Sequence, residues 1–334
     1  MARPSCWLRI TIPFLAAWPF AMSAAPSFDC KLAKSAVEQL ICADDRLGTL
    51  DREEVARYER LRHVVSPEGA ALLLKKQRAW LAARQGCLAG SYTNDRASQV
   101  ECLIQAYQEP PRPLDGAFRQ ASGLVLEYRE SVRRIPRLRV TEDESHPWLT
   151  GQPAARAEAF NQYVTTRLSL DKGMFAQAPI QIDRPPEGDT EYERFYEIHH
   201  IDAKLISIEV YRHHSSYVGH GWRAEFGLNW DLRAGRPIKI ASLFRPGTIW
   251  RDAVMTEVRK FVRTDDFTGD PDDIIRLADP EEDEGWLFEP DHAVLLVGGE
   301  ERSMVGTAAD VPIPYEVLAP LLLPDTPLPG HVKP

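Results

Sequence analysis

The sequence predicts an α+β protein in two parts: an all-α helical module stapled by disulfides, then an α+β domain with an antiparallel sheet and two or three helices. Three observations carry this. Cys30, Cys42, Cys87 and Cys102 all fall in a stretch of helical periodicity. The run Glu109-Pro110-Pro111-Arg112-Pro113 ends that stretch, because proline removes a donor and fixes φ. Beyond it, short apolar runs separated by turn signals surround amphipathic segments, the pattern of strands clustered with helices.

The chain opens with a candidate signal peptide, residues 1–23. Arg3 and Arg9 form a basic n-region, Ile10 to Met22 is uncharged, and small residues follow at Ala21, Ser23, Ala24 and Ala25. Cleavage is expected after Ser23 or Ala25. The apolar stretch is short of the roughly 20 residues that span a bilayer, and Pro13 and Pro19 interrupt it, so an uncleaved anchor is the weaker reading. No later segment is long and apolar enough to cross a membrane. Cys6 leaves with the leader, which turns an odd cysteine count into an even one. The expected product is periplasmic or secreted and not an integral membrane protein.

Four helical stretches are expected in residues 26–109. The first runs from Lys34 to Cys42. In the second, Arg46 to His63, Leu47, Leu50, Val55, Tyr58 and Leu61 recur on one side. The third spans Pro67 to Cys87, with Leu72, Leu73, Trp80 and Leu81 inward, and Ser66-Pro67-Glu68 is a strong helix start. The fourth covers Ala97 to Gln108. So small a core calls for staples in an exported domain. Four cysteines allow three connectivities. Cys30–Cys42 with Cys87–Cys102 is favoured, each closing a short helix onto its neighbour. A zinc site lacks its close cysteine pairs.

Phe28-Asp29-Cys30, Glu38-Gln39-Leu40-Ile41-Cys42, Leu50-Asp51 and Tyr58 resemble the opening of the LprI-like lysozyme-inhibitor domain. Gln77-Arg78-Ala79-Trp80-Leu81, Arg84, Cys87, Cys102-Leu103 and Tyr107 resemble its second half. The resemblance spans nearly the whole module. It implies a protein partner of the lysozyme type, with Gln77, Arg78, Trp80 and Arg84 as a contact surface by motif. The bland alternative makes Trp80 core and the arginines surface pairing charges. No lipidation cysteine is present, so membrane tethering does not carry over.

Residues 110–122 read as a proline-rich linker, 123–324 as the second domain and 325–334 as a flexible tail. Leu124–Tyr128 is a candidate lead-in strand and Arg156–Leu170 a helix. Strands follow at 191–201, 204–213 and 221–232, the first two joined by a turn at Asp202-Ala203. Asp231–Gly235 is another turn, and Thr248–Val262 an amphipathic helix. Apolar segments at 286–288, 293–297 and 311–314 precede a last helical turn at 315–322. Tyr217-Val218-Gly219-His220-Gly221, Asn229-Trp230-Asp231-Leu232, Gly235-Arg236-Pro237-Ile238, Leu243-Phe244, Phe288-Glu289-Pro290 and Val311-Pro312-Ile313-Pro314-Tyr315 resemble the RsiV-like extracellular domain, over roughly residues 155–322. That resemblance also implies a lysozyme-type partner. Its signalling role does not carry over, since no membrane helix or sigma-binding segment accompanies it.

The chain's formal charge of −9 becomes −11 without Arg3 and Arg9. Residues 29–109 balance at 12 basic and 12 acidic side chains, 110–140 stand at +4, and 141–334 at −15. Such a domain repels phosphate, which excludes a nucleic-acid partner. Twelve carboxylates crowd residues 265–291, among them Glu281, Glu282, Asp283 and Glu284, against Arg276 alone. They read as a solvated loop or a surface that steers a cationic partner. The Tyr217–Trp222 turn, with Tyr217, Gly219, His220 and Trp222, is a second candidate contact.

No nucleophile elbow, zinc-protease motif, P-loop or dinucleotide fingerprint occurs, and no cofactor is expected. His199, His200, His213, His214 and His220 fall close together in sequence. A metal site from His200, His214 and His220 would make the protein a metal-dependent envelope hydrolase, but adjacent histidines on a strand face opposite ways. The favoured expectation is an exported binding protein, not an enzyme, that recognises and blocks a cationic muramidase. An envelope stress or assembly factor with another protein partner is the alternative.

Overall fold

The computed structural model describes residues 25–89, 95–108, 118–170, 189–216, 222–264, 267, 269–298 and 308–329. The segment expected to be a leader, the run 109–117 and the expected Tyr217–Trp222 turn as far as Gly221 lie outside these.

Helices α1 (Ala36–Ala43), α2 (Asp45–Val64), α3 (Pro67–Ala83) and α4 (Arg96–Gln108) form the first part. Local chemistry starts each of the first three. Ser35 and Glu38 make a capping box on α1, Asp44 caps α2, and Ser66 caps α3 with Pro67 in the first turn. Val37, Ile41, Leu47, Trp80, Val100, Leu103, Ile104 and Tyr107 bury against one another. The bridges are Cys30–Cys42 and Cys87–Cys102, as favoured, with Cα separations of 5.7 and 5.6 Å. Closing loops of this length contributes about 3 kcal/mol each on the chain-entropy account.

A seven-stranded sheet follows, its strands adjacent in chain order. They are β1 (Arg119–Ala121), β2 (Leu124–Ile135), β3 (Val140–Gly151), β4 (Thr190–Ile201), β5 (Leu205–Ser216), β6 (Trp222–Asp231) and β7 (Arg236–Pro237). All pairs are antiparallel except β3 with β4, which run parallel after a crossover through α5 (Ala154–Leu168). That pairing lasts only from Val140 to Glu144. Beyond it the freed margin of β3 is satisfied by α5. Asn161 Nδ2 donates to the Leu149 carbonyl at 2.8 Å, and its Oδ1 accepts from Leu149 N at 2.7 Å. Pro147 falls in the same unpaired stretch, where a missing N–H breaks no ladder bond. Phe160, Val164 and Leu168 of α5 bury with Ile208, Phe226, Leu228 and Trp230 of the sheet.

A three-stranded sheet, β8 (Trp286–Phe288), β9 (His292–Val297) and β10 (Ala309–Pro314), is ordered β10-β9-β8. It forms a second core with α6 (Trp250–Phe261), α7 (Pro271–Leu277) and α8 (Tyr315–Leu318). The two sheets meet through polar side chains. Asn229 Nδ2 donates to the Trp286 carbonyl at 2.6 Å, and Phe288 N donates to Ser207 Oγ at 2.8 Å. A Cβ at Gly227 would stand 2.0 Å from the Trp286 carbonyl oxygen, so only glycine permits this approach.

The structure departs from the sequence expectation at several places. Val55 and Leu81, expected on the inward faces of their helices, are 38 % and 37 % exposed. Strand β3 and the second half of β2 were not foreseen, because their inward residues include Glu142, Glu144 and Arg129 in place of an apolar alternation. Helix α7 rises inside the acidic run, started by Asp270, whose side chain accepts from Asp272 N. Phe118 is buried and Arg119–Ala121 pairs with β2, within the stretch expected to be linker. Leu328, in the expected tail, is buried in the second core.

Candidate functional site

The motif residues of the helical module divide into two sets. Trp80 is 3 % exposed, and its Nε1 donates to the Ala106 carbonyl at 2.9 Å. Arg84 lies over the Trp80 ring, 5.0 Å from its centroid, and donates to the Tyr107 hydroxyl at 2.6 Å. Tyr107 in turn donates to Asp51 at 2.9 Å, and the other Asp51 oxygen accepts from the Ser27 backbone N–H and hydroxyl. Burial, together with Asp51, holds the Tyr107 phenol far above its usual range. Gln77 is buried as well. These residues knot the module together.

Arg78 belongs to the other set. It is exposed, with no ion pair among the described residues. Leu74 and Leu81 flank it on the same outward side of α3, at 39 % and 37 % exposure, and Ala71, Ala79 and Ala82 are exposed with them. Lys75, also outward, is paired with Glu130. The result is an apolar helix face with Arg78 at its middle, unpaired among the described residues.

Contacts with β2 hold that face in place. Glu127, fully buried, accepts from Ser66 N at 2.5 Å, Ser66 Oγ at 2.8 Å and Thr150 Oγ1 at 2.8 Å, and pairs with Arg129 at 3.0 Å. A carboxylate at the start of α3 complements the helix dipole. Further along, Lys75 and Lys76 both pair with Glu130, and Lys76 Nζ lies 4.8 Å from the Tyr128 ring centroid. Burial alone would raise the Glu130 carboxyl; the two lysines outweigh it and hold it below its usual range. Neighbouring strand residues point to opposite faces, yet Glu127 and Arg129 as well as Tyr128 and Glu130 reach the helix. Helix α3 therefore lies along the margin of β2 that short β1, paired only to Leu124–Leu126, leaves uncovered.

Part of the acidic run pairs with basic side chains from elsewhere in the fold. Glu281 pairs with Arg251, Glu284 with Arg167, and Asp283 with Lys239 while also accepting from Ile240 N at 2.8 Å. These contacts join residues 30 to 117 positions apart, which no local reading detects. Glu282 immediately precedes the short turn that carries Asp283 and Glu284.

The histidines disperse. His200 stands opposite Ser207, two residues off the register of a turn at 202–203, and a bulge follows between Ile198 and His200. His199 is gripped by two carboxylates: Nε2 lies 3.0 Å from Glu209 Oε2, and Nδ1 meets Glu289. Tyr211 donates to the same Glu209 oxygen at 2.5 Å. Burial would depress His199, but the carboxylates outweigh it and raise its pKa to about 9. His146 goes the other way, lowered to about 4 by burial and by Arg194 and Arg129. His214 sits against the Tyr192 ring, 4.7 Å between centroids. Among the described residues no three His, Cys, Asp or Glu side chains converge to hold a metal. Tyr217, Gly219 and His220 lie outside the described residues, and of Trp222 only the backbone start of β6 is described.

Residues 30–110, the stapled helical module, match the family described as Lysozyme inhibitor LprI. The match covers the helical module and does not extend into the sheet domain. Two solved structures also align with it. One is a DUF3298 family protein from Pseudomonas aeruginosa PAO1, 12% identical, with a TM-score of 0.44, covering 62% of this chain and 96% of that one. The other is a DUF3298 member from Bacteroides fragilis NCTC 9343, 13% identical, with a TM-score of 0.41, covering 62% and 94%. No curated protein matches the chain. The two disulfides suit an oxidising extracellular or periplasmic setting. No helix among the described residues is long and apolar enough to cross a membrane.

Proposed function

We propose that this protein is an exported inhibitor of a cationic lysozyme-type muramidase, and that the outward face of α3 is the surface it presents. The carrying observation is that face itself: Leu74, Arg78 and Leu81 stand exposed inside the region that matches the lysozyme-inhibitor family. A guanidinium set among apolar side chains suits a cleft that is apolar at its walls and holds carboxylates at its centre, as the active site of a glycosidase does. Docking there would occlude the space of the glycan. The two bridges and the grip of β2 keep α3 rigid, so little ordering entropy is lost on binding. The charge of −15 on residues 141–334 gives the long-range field the sign that attracts a basic enzyme, although Glu281, Asp283 and Glu284 are engaged internally. The RsiV-like resemblance of residues 155–322 supports the same partner class, and the Tyr217–Trp222 turn is a second point of contact on this reading.

The test is cell-wall hydrolysis by a basic lysozyme with and without the mature protein, at rising salt. Inhibition is expected at about micromolar protein, weakening as salt screens the attraction. Arg78→Glu should weaken it by about tenfold or more with the thermal midpoint unchanged. Absence of inhibition at low salt overturns the proposal.

A further inference from the structure

Between the end of β3 and the outer face of α5 lies an open cavity of about 710 Å³, within the range of about 300–1,000 Å³ typical of small-molecule clefts. One wall is the half-buried Trp148 and the floor is Ala157. The other wall is a single row on α5, Glu158, Gln162 and Thr166, spaced at four-residue steps and therefore on one side of the helix. All three are exposed.

The polar groups around this cavity fall into two kinds. Asn161 is spent on the Leu149 backbone, Thr150 on Glu127, and Thr165 on the Asn161 carbonyl. These hold the walls rigid. The Glu158 carboxylate, the Gln162 amide, the Thr166 hydroxyl and the Trp148 indole N–H have no hydrogen-bond partner among the described residues. Aromatic surface thus faces a ladder of donors and acceptors across a preformed gap.

The lining also narrows the ligand. It contains no lysine, arginine or histidine, so nothing in it would neutralise a phosphate or a carboxylate. Its apolar surface is one ring and a few small side chains, too little for a lipid or a hydrophobic peptide. A ligand with a flat C–H face for the indole and a rim of hydroxyl or amide groups for the helix row satisfies both walls. We infer that this cavity is a binding site for a neutral pyranose oligosaccharide, with Trp148 as the stacking platform and Glu158, Gln162 and Thr166 as the polar rim. The site is separate from the α3 face and stands whether or not the protein inhibits a muramidase.

Isothermal titration of the full mature protein, with no lysozyme present, tests this. The probes are chitotriose, maltotriose and inorganic phosphate. Saturable binding of at least one trisaccharide and none of phosphate is expected. Trp148→Ala and Gln162→Ala should each weaken that binding by about tenfold. Gln162 is exposed, so its variant should keep the parent thermal midpoint and separate lost recognition from lost folding. The assignment is overturned if neither trisaccharide gives heat up to about 10 mM, if phosphate binds, or if both variants bind like the parent.

Discussion

At Tyr107 one hydroxyl donates to Asp51 and receives a proton donor from Arg84, all within the core of the helical module. Tyr107→Phe removes that oxygen and leaves Asp51 with one donor fewer and Arg84 without its acceptor. A loss of about 1–3 kcal/mol is expected, read in urea as a lower midpoint with an unchanged slope. An unchanged midpoint would mean that the knot contributes nothing. The motif around Trp80 was legible as a motif, but its role was not. Whether Trp80 and Arg84 look outward or inward depends on Tyr107 and Ala106, more than twenty residues away, and only the fold brings these together. Arg78 points outward and meets no such partner among the described residues.

For elements, sequence patterning was most informative where burial is apolar. Ser66-Pro67 started α3, and the alternation of Ala224, Phe226, Leu228 and Trp230 revealed β6. It was least informative where burial is charged. Strand β3 hides behind Thr141-Glu142-Asp143-Glu144, whose inward carboxylates meet Arg133 and Arg194 in the folded chain. Helix α7 hides likewise, since an aspartate-rich helix start and a solvated acidic loop look alike in one dimension. The docking of α3 on β2 gives a test at this scale. A Cβ at Gly69 would stand 2.6 Å from Glu127 Oε2, and that carboxylate is held by Ser66, Thr150 and Arg129. Gly69→Ala gains helix propensity but should lose about 1–3 kcal/mol overall through this overpacking. Thermal unfolding measures the sign; a stabilised variant would show that the junction yields easily.

Across the whole molecule, His199 links the large sheet to the small one, through Glu209 on β5 and Glu289 beside β9. Its pKa is raised to about 9 in the folded protein, against about 6.5 in an unfolded chain. Below pH 6.5 both states hold the proton and the contribution is complete. As pH rises toward 9 the unfolded state releases the proton first, so stability falls, by about 3 kcal/mol in all. Denaturant midpoints of the parent should therefore decline between about pH 6.5 and 9, and His199→Gln should flatten that decline. A parent curve with no slope there would sink the assignment.

The position of α3 has a further consequence for the chain as a physical object. A helix laid on the border of β2 shields a ribbon that would otherwise invite another strand to zip onto it. The same helix buries Leu73 in the core of the sheet domain, with Tyr58, Leu61 and Val65 packed beside it. Severed near residue 110, one half would carry a greasy scar and the other a raw selvedge. The stapled module is thus sealant as well as tool, and the chain that looks like two beads on a string behaves as one.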